Sequence, residues 1–443
     1  ILSGLVGSEM CIRDSPNPAA TAFPVSAETA SLPAVDTTLA RRLQAARPSA
    51  TGAMSQAARR LAAEGRDIIS LSEGELDFDT PVHIQHAAMR GIIEGQTRYT
   101  DVGGTPQLRA SIVRKFVRDN DLHYKEAEVI ASTGAKQILF NALLATLDAG
   151  DEAVVVAPYW VSYSEMIRIA GGEPVVVTPQ ADNGFKLTPE RLAAALTPRT
   201  RWLILNAPCN PSGALYTADE LRALADVVRA HPRLLVMSDD IYEEIVFEGA
   251  FVSFAQASPD MQARTLTING VSKAYAMTGW RLGYAGGPRW LIQALELLQS
   301  QSTSNPSSVS QAAALAALDG PQDFLDGWRS RLRGRRDLAL SILSQAAPLL
   351  SMACPPAAFY LYADCSAALG RITPAGQRLE TDMDLARYLL EEAGVAVVPG
   401  TAFGLAPYLR LAYALSDERL ALACERIVSA CARLQPLSAA PSA

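Results

Sequence analysis

The sequence is poor in the residues that build metal centres. It has four histidines and six cysteines in 443 residues, and none of the cysteines forms a Cys-x-x-Cys pair. Because zinc sites need Cys and His ligands clustered at short spacings, we expect no bound metal. Unpaired thiols suit a reducing compartment, so the same scarcity predicts a cytoplasmic protein.

The sequence also lacks the signals of three other protein classes. No apolar run approaches the length of a membrane span, which predicts a protein that does not insert into a membrane. No predicted strand is followed by a Gly-x-Gly-x-x-Gly turn, which disfavours a dinucleotide-binding dehydrogenase. Lysine and arginine total 39 against 46 for aspartate and glutamate, a net charge of −7, so the overall basic footprint of a nucleic-acid-binding protein is absent.

The remaining composition is typical of a large, well-packed enzyme. Hydrophobic residues make up 49% of the sequence and charged residues 19%, and a chain of 443 residues exceeds what one core usually organises, which predicts two domains. Residues 1–15 are interpreted as non-native, because residues 10–15 resemble translated adaptor DNA. Residues 16–38, rich in Ala, Pro, Ser and Thr, are predicted to be a disordered leader, and residues 436–443 a similar tail.

Alternating strand and helix patterns fill the middle of the chain. Short apolar runs between helical segments are typical of a parallel sheet that is buried on both faces. We therefore predict an α/β fold in which a large domain, residues 80–322, contains a mostly parallel sheet. A smaller α+β domain is predicted to combine residues 39–79 with residues 323–435. The predicted strands are residues 67–71, 129–132, 153–157, 174–178, 202–205, 234–237, 265–268, 358–363, 395–398 and 408–413.

The most informative motif surrounds Lys273. Residues 270–273 read Gly-Val-Ser-Lys, follow a predicted strand directly, and are followed by Arg281 eight positions after the lysine. A lysine on a loop at the carboxyl end of a strand faces the edge at which open α/β sheets bind ligands. Residues 270–283 resemble the pyridoxal-5′-phosphate (PLP) attachment signature of the class I aminotransferases at every defined position. The resemblance implies that Lys273 holds PLP in a Schiff base, with Ser272 and Arg281 beside the cofactor.

Two further motifs resemble landmarks of the same family. Residues 238–242, Ser-Asp-Asp-Ile-Tyr, resemble its Ser-Asp-Glu-Ile-Tyr. This resemblance implies that Asp239 pairs with the pyridinium nitrogen of PLP and that Tyr242 donates to its phenolic oxygen. Residues 206–213 resemble a loop that contains Asn-Pro-Thr-Gly, in which Asn210 would bind the same oxygen and border the substrate. An acid beside the ring nitrogen keeps the ring electron-poor, which PLP chemistry requires.

A third resemblance concerns the phosphate group and the ring of PLP. Residues 132–136 end a predicted strand and open a helix, a place where backbone N–H groups bind anions. The resemblance implies that Gly134, Ala135 and Lys136 hold the phosphate, although the closest branch of the family usually has a second glycine in place of Ala135. Trp160, which follows the next strand, would stack on the cofactor ring and border the substrate. A tryptophan in such a position is otherwise often part of the core.

Three residues in the resemblance concern the substrate and the neighbouring subunit. Arg410 matches the arginine that binds the substrate α-carboxylate, for which a planar guanidinium is well suited. Gly74 matches a loop whose backbone approaches the same carboxylate, and Leu76 stands where the family usually has proline. Tyr99 matches a tyrosine that reaches the phosphate bound by the neighbouring subunit. This match implies a homodimer with shared active sites.

Together the matches run from about residue 46 to about residue 434 and imply the PLP-dependent transferase fold of the aspartate aminotransferases. The implied activity moves an amino group between an L-amino acid, with aspartate favoured, and a 2-oxo acid such as 2-oxoglutarate. Lys273 would then also carry the substrate α-proton as general base and acid. Residues 47–51 and 136–137 resemble the bacterial aspartate (aspartate/prephenate) aminotransferase branch, in which Lys136 would face the distal carboxylate of the substrate. A solvated lysine in a first helical turn is the alternative.

Two other functions stay open at the level of sequence. A PLP-dependent β-lyase or cyclase would share the fold and the cofactor loops, which do not separate these reactions. A PLP-binding regulatory protein without catalysis is the other alternative, although no DNA-binding module precedes the domain.

Overall fold

The computed structural model describes residues 39–44, 46–48 and 50–436 of the chain. The predicted non-native segment (residues 1–15) and the predicted leader (residues 16–38) lie outside these described residues, as do residues 437–443 of the predicted tail. Within the described residues, no helix is long and apolar enough to cross a membrane.

The central sheet has seven strands in the order β2-β8-β7-β6-β5-β3-β4. Strands β4, β3, β5, β6 and β7 run parallel, whereas β8 is antiparallel to both of its neighbours. The prediction of a mostly parallel sheet is therefore confirmed. The strands of the described chain are β1 (Ile69–Ser70), β2 (Val129–Ser132), β3 (Glu152–Val156), β4 (Glu173–Val177), β5 (Thr200–Asn206), β6 (Leu235–Asp239), β7 (Thr265–Gly270), β8 (Gly283–Gly286), β9 (Tyr360–Asp364), β10 (Val395–Ala396), β11 (Val398–Pro399) and β12 (Tyr408–Ala412).

Helices pack on both faces of this sheet, because alternate residues of β3 belong to two different core clusters: Ala153 and Val155 to one, Val154 to the other. The Thr217–Glu220 pair shows how one of them begins: the Thr217 side chain accepts from the backbone N–H of Glu220, and the Glu220 carboxylate accepts from the backbone N–H of Thr217. This reciprocal cap satisfies two N–H groups that a helix start otherwise leaves unpaired. The described helices are α1 (Arg41–Gln44), α2 (Ala50–Ala63), α3 (Val82–Ile93), α4 (Pro106–Asn120), α5 (Ala135–Thr146), α6 (Ser162–Ile169), α7 (Pro189–Ala195), α8 (Ala218–Arg229), α9 (Phe254–Ala257), α10 (Val271–Ala274), α11 (Arg289–Ser300), α12 (Ser308–Asp319), α13 (Phe324–Leu343), α14 (Asp382–Ala393) and α15 (Asp417–Ala432).

A smaller antiparallel sheet, β11-β12-β9, and the parallel pair β1-β10 lie outside the central sheet. The single strand predicted at residues 395–398 is wrong, because the chain changes sheets at Val397: β10 pairs with β1, and β11 pairs with β12. All four residues are buried, so the apolar pattern carries no sign of this break. Apolar residues of β1 join those of α13, β9, α14, β12 and α15 in one core cluster.

The order of the central strands brings the site together. The neighbouring parallel strands β5, β6 and β7 end at Asn206, Asp239 and Gly270, and the loops that follow them carry the predicted cofactor motifs. Because parallel strands have their carboxyl ends at one edge of the sheet, these loops meet there.

Candidate active site

A cavity of about 690 Å³ lies at the carboxyl ends of the central strands. Its wall combines charged side chains of both signs with aromatic rings, which is typical of a site for a polar ligand. Most of the residues predicted from sequence line it, namely Gly74, Ala135, Lys136, Trp160, Asn210, Asp239, Tyr242, Ser272, Lys273, Arg281 and Arg410.

Lys273 lies in the wall of this cavity. The sequence predicts a loop at this position, but Lys273 lies in α10, a single helical turn that begins directly after β7. Its Nζ donates to the carbonyl oxygen of Gly74 at 2.6 Å. Burial lowers the pKa of Lys273 to about 8, the carboxylate of Glu75 opposes this change, and the positive charges of Arg410 and Arg281 add to it. A large share of the lysine is therefore the neutral amine near pH 8, the form that reacts with an aldehyde.

Asp239 ends β6 and is buried. One of its carboxylate oxygens, Oδ2, accepts a hydrogen bond from the hydroxyl of Tyr163. The other, Oδ1, is buried without a partner among the described residues. Burial raises the pKa of Asp239 to about 6, while the hydrogen bond from Tyr163 and the positive charge of Lys273 oppose that rise. At neutral pH the group is thus mostly an anion with one oxygen available to a donor.

Tyr242 contacts a residue that the motifs do not reveal. Its hydroxyl lies 2.7 Å from the hydroxyl of Tyr360, and the two rings meet edge to face with centroids 5.8 Å apart. Both tyrosines are buried and line the cavity. Burial raises the pKa of Tyr242 well above its usual value, so this hydroxyl stays protonated and can donate.

Arg410 lies on β12 and is only 2% exposed. Its Nη1 donates to Oδ1 of Asn210 at 3.1 Å, and its Nη2 donates to the carbonyl oxygen of Ser72. The hydrogen-bond partners of Arg410 among the described residues are an amide and a carbonyl oxygen, not a carboxylate, and its Nε is buried without a partner. A buried guanidinium without an acid is costly unless an anionic ligand completes it. Burial accordingly lowers the pKa of Arg410.

The loop between β2 and α5 forms a close-fitting cradle. Gly134 precedes α5 with a φ of +85°, a conformation that glycine adopts without strain. A Cβ at Gly134 would lie 2.5 Å from Nη2 of Arg281, and a Cβ at Gly283 would lie 2.6 Å from the carbonyl carbon of Gly134. Side chains at either glycine would therefore push the arginine or β8 away from the start of α5, whose first N–H groups lack partners within the helix.

Lys136 and Trp160 form a pair in the cavity wall. Nζ of Lys136 lies 4.7 Å from the centroid of the Trp160 ring, within the range of a cation–π interaction. Desolvation and the positive charge of Arg281 lower the pKa of Lys136. The Trp160 ring also meets the ring of Tyr163 edge to face, with centroids 5.3 Å apart, and this contact restrains its orientation.

Tyr99, also predicted to bind the cofactor, lies outside the cavity of its own chain. It is 90% exposed, and the residues that line the cavity do not include it. Its own chain therefore leaves the phenol ring available to another molecule.

Sequence reasoning missed several residues of the cavity wall. Arg59 on α2 forms an ion pair with Glu73 at 3.0 Å, and both line the cavity with Glu75 and Tyr360. The segment that contains Tyr360 is predicted as a strand, but the contact of Tyr360 with Tyr242 depends on how distant segments pack. The helical pattern of the N-terminal segment gives no sign of Arg59, because this side chain is exposed and does not belong to the apolar face of α2.

The donors and acceptors of the cavity fit PLP. The unpartnered Oδ1 of Asp239 is the acceptor that a protonated ring nitrogen requires. The cradle at Gly134 combines a helix start with Arg281, the combination that binds phosphate groups. Lys273 supplies an amine with a lowered pKa.

Comparison with known proteins gives one family over most of the chain. A family model described as aminotransferase class I and II matches residues 66–427. An aspartate aminotransferase of Rhizobium meliloti (strain 1021) is 53% identical over 372 residues, which cover 84% of this chain and 90% of the relative. An aspartate/prephenate aminotransferase of Cereibacter sphaeroides is 52% identical over 399 residues, which cover 89% of this chain and 99% of the relative.

Solved structures resemble the whole described fold. The crystal structure of the aspartate aminotransferase from Rhizobium meliloti matches with a TM-score of 0.87 and 50% identity, covering 90% of this chain and 100% of that one. The aspartate aminotransferase from Thermus thermophilus with maleate matches with a TM-score of 0.82 and 42% identity, covering 88% of this chain and 99% of that one.

Proposed function

The chain belongs to the class I and II aminotransferase family, and we propose that it moves the amino group of L-aspartate to 2-oxoglutarate. Family membership makes it a PLP-dependent aminotransferase that acts on an amino acid and a 2-oxo acid. The choice of aspartate is the proposed part. The observation that carries it is a cavity in which the buried, acid-free Arg410 and the partly desolvated Lys136 both line the wall near Lys273.

Bound PLP supplies an electron sink that stabilises negative charge at the substrate Cα. Local geometry supports a division of labour among the residues around it. We assign the phosphate to Gly134, Ala135, Lys136, Ser272 and Arg281. We assign the ring face to Trp160, the ring nitrogen to Asp239, the phenolic oxygen to Asn210 and Tyr242, and the covalent attachment to Lys273.

Lys273 has two tasks in this proposal. Its lowered pKa supplies the neutral amine for attachment. When free of the cofactor, the same Nζ would remove the proton from the substrate Cα as general base. The carbonyl of Gly74, which accepts from this Nζ, would hold the free lysine within the cavity.

Arg410 orients the substrate. Its guanidinium binds the α-carboxylate in a planar fork that a lysine would not reproduce. Asn210 accepts from Nη1 and so fixes the fork relative to the loop after β5. A carboxylate held in this way sets which bond at Cα faces the cofactor ring, which is an effect of orientation on rate.

A second cation supports a dicarboxylic substrate. The ammonium group of Lys136 lies over the ring of Trp160 in the cavity wall. A distal carboxylate of the substrate would there bind a partly desolvated positive charge. The relatives named above carry aspartate in their names, and one solved relative contains maleate, a four-carbon dicarboxylate.

A homodimer completes the proposed site. The outer face of α3 presents large apolar side chains to solvent, including Ile93 at 83% exposure, together with Val82, Met89 and Ile92. Exposed apolar patches of this kind are typical of protein interfaces. In the proposed dimer, Tyr99 of one subunit reaches the phosphate bound by the other.

The proposed location is the cytoplasm. The five cysteines of the described chain are free thiols, and four of them are buried. Free thiols of this number suit a reducing compartment.

A panel of amino donors tests the proposed substrate. The purified protein receives 2-oxoglutarate with aspartate, alanine or phenylalanine, and both glutamate and the new 2-oxo acid are quantified. We expect equal amounts of the two products and the highest kcat/KM with aspartate. A donor consumed without glutamate formation would instead indicate a β-lyase or cyclase. A higher kcat/KM for alanine or phenylalanine would reject the aspartate assignment, and Lys273→Ala is the inactive control.

A further inference from the structure

Tyr360 stands where three parts of the cavity meet. Its hydroxyl lies 2.7 Å from that of Tyr242, and its ring carries the guanidinium of Arg410 at 4.7 Å from the centroid. A Cβ built at Gly74 would lie 2.6 Å from the Tyr360 hydroxyl and 4.0 Å from Nζ of Lys273. One buried side chain thus touches the residues assigned to the phenolic oxygen, the α-carboxylate and the loop that holds the lysine.

Strand pairing explains this position. In the antiparallel pair β9–β12, Tyr360 is opposite Ala412, and Arg410 lies two residues before Ala412 on the same strand. Residues two apart on a strand share a face, so the side chains of Tyr360 and Arg410 are diagonal neighbours. The ring of Phe403 also contacts the guanidinium, with its centroid at 5.1 Å. Two aromatic rings therefore contact the arginine.

The hydroxyl pair has one arrangement that serves the cofactor. Tyr242 has a single hydroxyl hydrogen, and donation to a phenolic oxygen uses it. The oxygen of Tyr242 is then free to accept, and the neighbouring hydroxyl of Tyr360 is the donor within reach. A donor that itself accepts a hydrogen bond becomes stronger, because chains of hydrogen bonds polarise one another.

We propose that Tyr360 is a positioning residue that links substrate binding to the cofactor, its ring supporting Arg410 and its hydroxyl donating to Tyr242. This inference rests on the proposed function, because it assumes that Arg410 binds a carboxylate and that Tyr242 faces the cofactor. The ring and the hydroxyl have separate roles, and separate substitutions remove them.

A double-mutant cycle tests the role of the hydroxyl. Wild type, Tyr360→Phe, Tyr242→Phe and the double variant are loaded with PLP, and the pH midpoint of the visible absorption band of the bound cofactor is titrated. Without the Tyr360 donor, Tyr242 stabilises an anionic phenolic oxygen less well, so the midpoint should rise by about 0.5 pH unit. In the Tyr242→Phe background, Tyr360→Phe should not move the midpoint, because the hydroxyl through which Tyr360 acts on the cofactor is already absent.

Two results would overturn this part of the proposal. One is an unchanged midpoint in Tyr360→Phe, and the other is an equal shift with and without Tyr242. Tyr388→Phe is the matched control, since it removes another buried hydroxyl, which donates to the carbonyl oxygen of Ala430 at 3.0 Å. If Tyr388→Phe moved the midpoint as much as Tyr360→Phe, the shift would reflect a general loss of packing. The proposed hydrogen bond from Tyr360 to Tyr242 would then be rejected.

Maleate binding tests the role of the ring. Tyr360→Phe keeps the ring and should bind maleate within about twofold of wild type, whereas Tyr360→Met keeps a similar volume without the ring and should bind about fivefold more weakly. Unchanged maleate affinity in a folded Tyr360→Met protein would overturn the support of Arg410. If that variant does not fold, loss of maleate affinity in Tyr360→Phe would overturn the separation of roles. None of these experiments measures turnover. A wild-type protein that binds PLP but does not transaminate aspartate would therefore reject the proposed function and leave the role of Tyr360 to be decided by the binding measurements.

Discussion

The hydroxyl of Tyr163 donates to Oδ2 of Asp239 and leaves Oδ1 of the same carboxylate buried without a partner in the described part of the chain. The tyrosine comes from α6 and the aspartate ends β6, so packing of the helix on the sheet fixes the direction of the carboxylate. An anion restrained at one oxygen presents the other in a defined direction to a ring N–H donor.

Replacement of Asp239 by alanine should leave some PLP binding but abolish most turnover. An unprotonated ring nitrogen is a far poorer electron sink, and loss of one charged hydrogen bond weakens binding by about 1.5–3 kcal/mol. Equilibrium dialysis measures the affinity for PLP, and the aspartate assay measures turnover. Tyr163→Phe is the comparison, because it removes the bond to Oδ2 but keeps the charge, and it should lose much less activity. An Asp239→Ala enzyme with normal turnover would contradict the role of the carboxylate.

The rate of PLP uptake by the apoenzyme should rise with pH, with a midpoint near 8. Attachment needs the neutral amine of Lys273, whose pKa burial lowers to about 8. The carboxylate of Glu75 raises this pKa, so Glu75→Gln should move the midpoint to lower pH. Stopped-flow absorbance measures the rate, and Glu126→Gln, at an exposed position of the described chain, should leave the midpoint in place. A rate that does not change between pH 7 and 9 would contradict a lysine of this pKa as the attachment point.

The sequence predicts the central strands well because their signal is local. Each of the six strands predicted for the central sheet is present with bounds within two residues. Asp239 ends β6, and Lys273 follows the end of β7 within α10. Strand β8, Gly283–Gly286, was missed because a glycine-rich run has little intrinsic strand preference. The reason for glycine at position 283 is found only in the folded structure, where the start of α5 packs against Gly283.

Other features of the site depend on tertiary packing that no local pattern encodes. Tyr360 meets Arg410 because of the register between β9 and β12, and the break at Val397 reflects a change of sheet within a fully apolar run. Resemblance to a motif identifies residues that occupy the same positions in a family. It does not identify the side chains that pack against those residues in the folded protein. The domain boundaries at residues 80 and 323 stay predictions.

Hybrid dimers should show whether Tyr99 serves the neighbouring site. Tyr99→Ala and Lys273→Ala chains are mixed, unfolded and refolded together, and high-affinity PLP sites are then counted. If Tyr99 acts across the interface, one site of each hybrid carries both lesions and the other carries none, so intact sites appear. If Tyr99 acts within its own chain, each site carries one lesion and no intact site forms. A protein that remains monomeric at working concentration would refute the shared site, and Ile93→Glu, placed on the exposed face of α3, should weaken the dimer.

Lys136 occupies an unusual place for a cation. It is the second residue of α5, where the helix dipole disfavours positive charge by about 0.3–1 kcal/mol, and Arg281 adds further repulsion. The face of Trp160 offsets part of this cost. An anionic partner would offset the remainder, and the cofactor phosphate and a distal substrate carboxylate are the two candidates.

Alanine at position 136 should distinguish these two anions. If the substrate supplies the charge, Lys136→Ala raises KM for aspartate and glutamate and leaves alanine and phenylalanine nearly unchanged. A charge-assisted contact in a partly desolvated wall contributes about 1.5–3 kcal/mol, or roughly tenfold to a hundredfold in kcat/KM. Lys125→Ala is the matched control, because Lys125 is exposed and lies outside the cavity wall. Equal losses for acidic and neutral donors, with weaker PLP binding, would assign Lys136 to the phosphate. No loss for either class would make it a solvated lysine and remove the side-chain argument for aspartate.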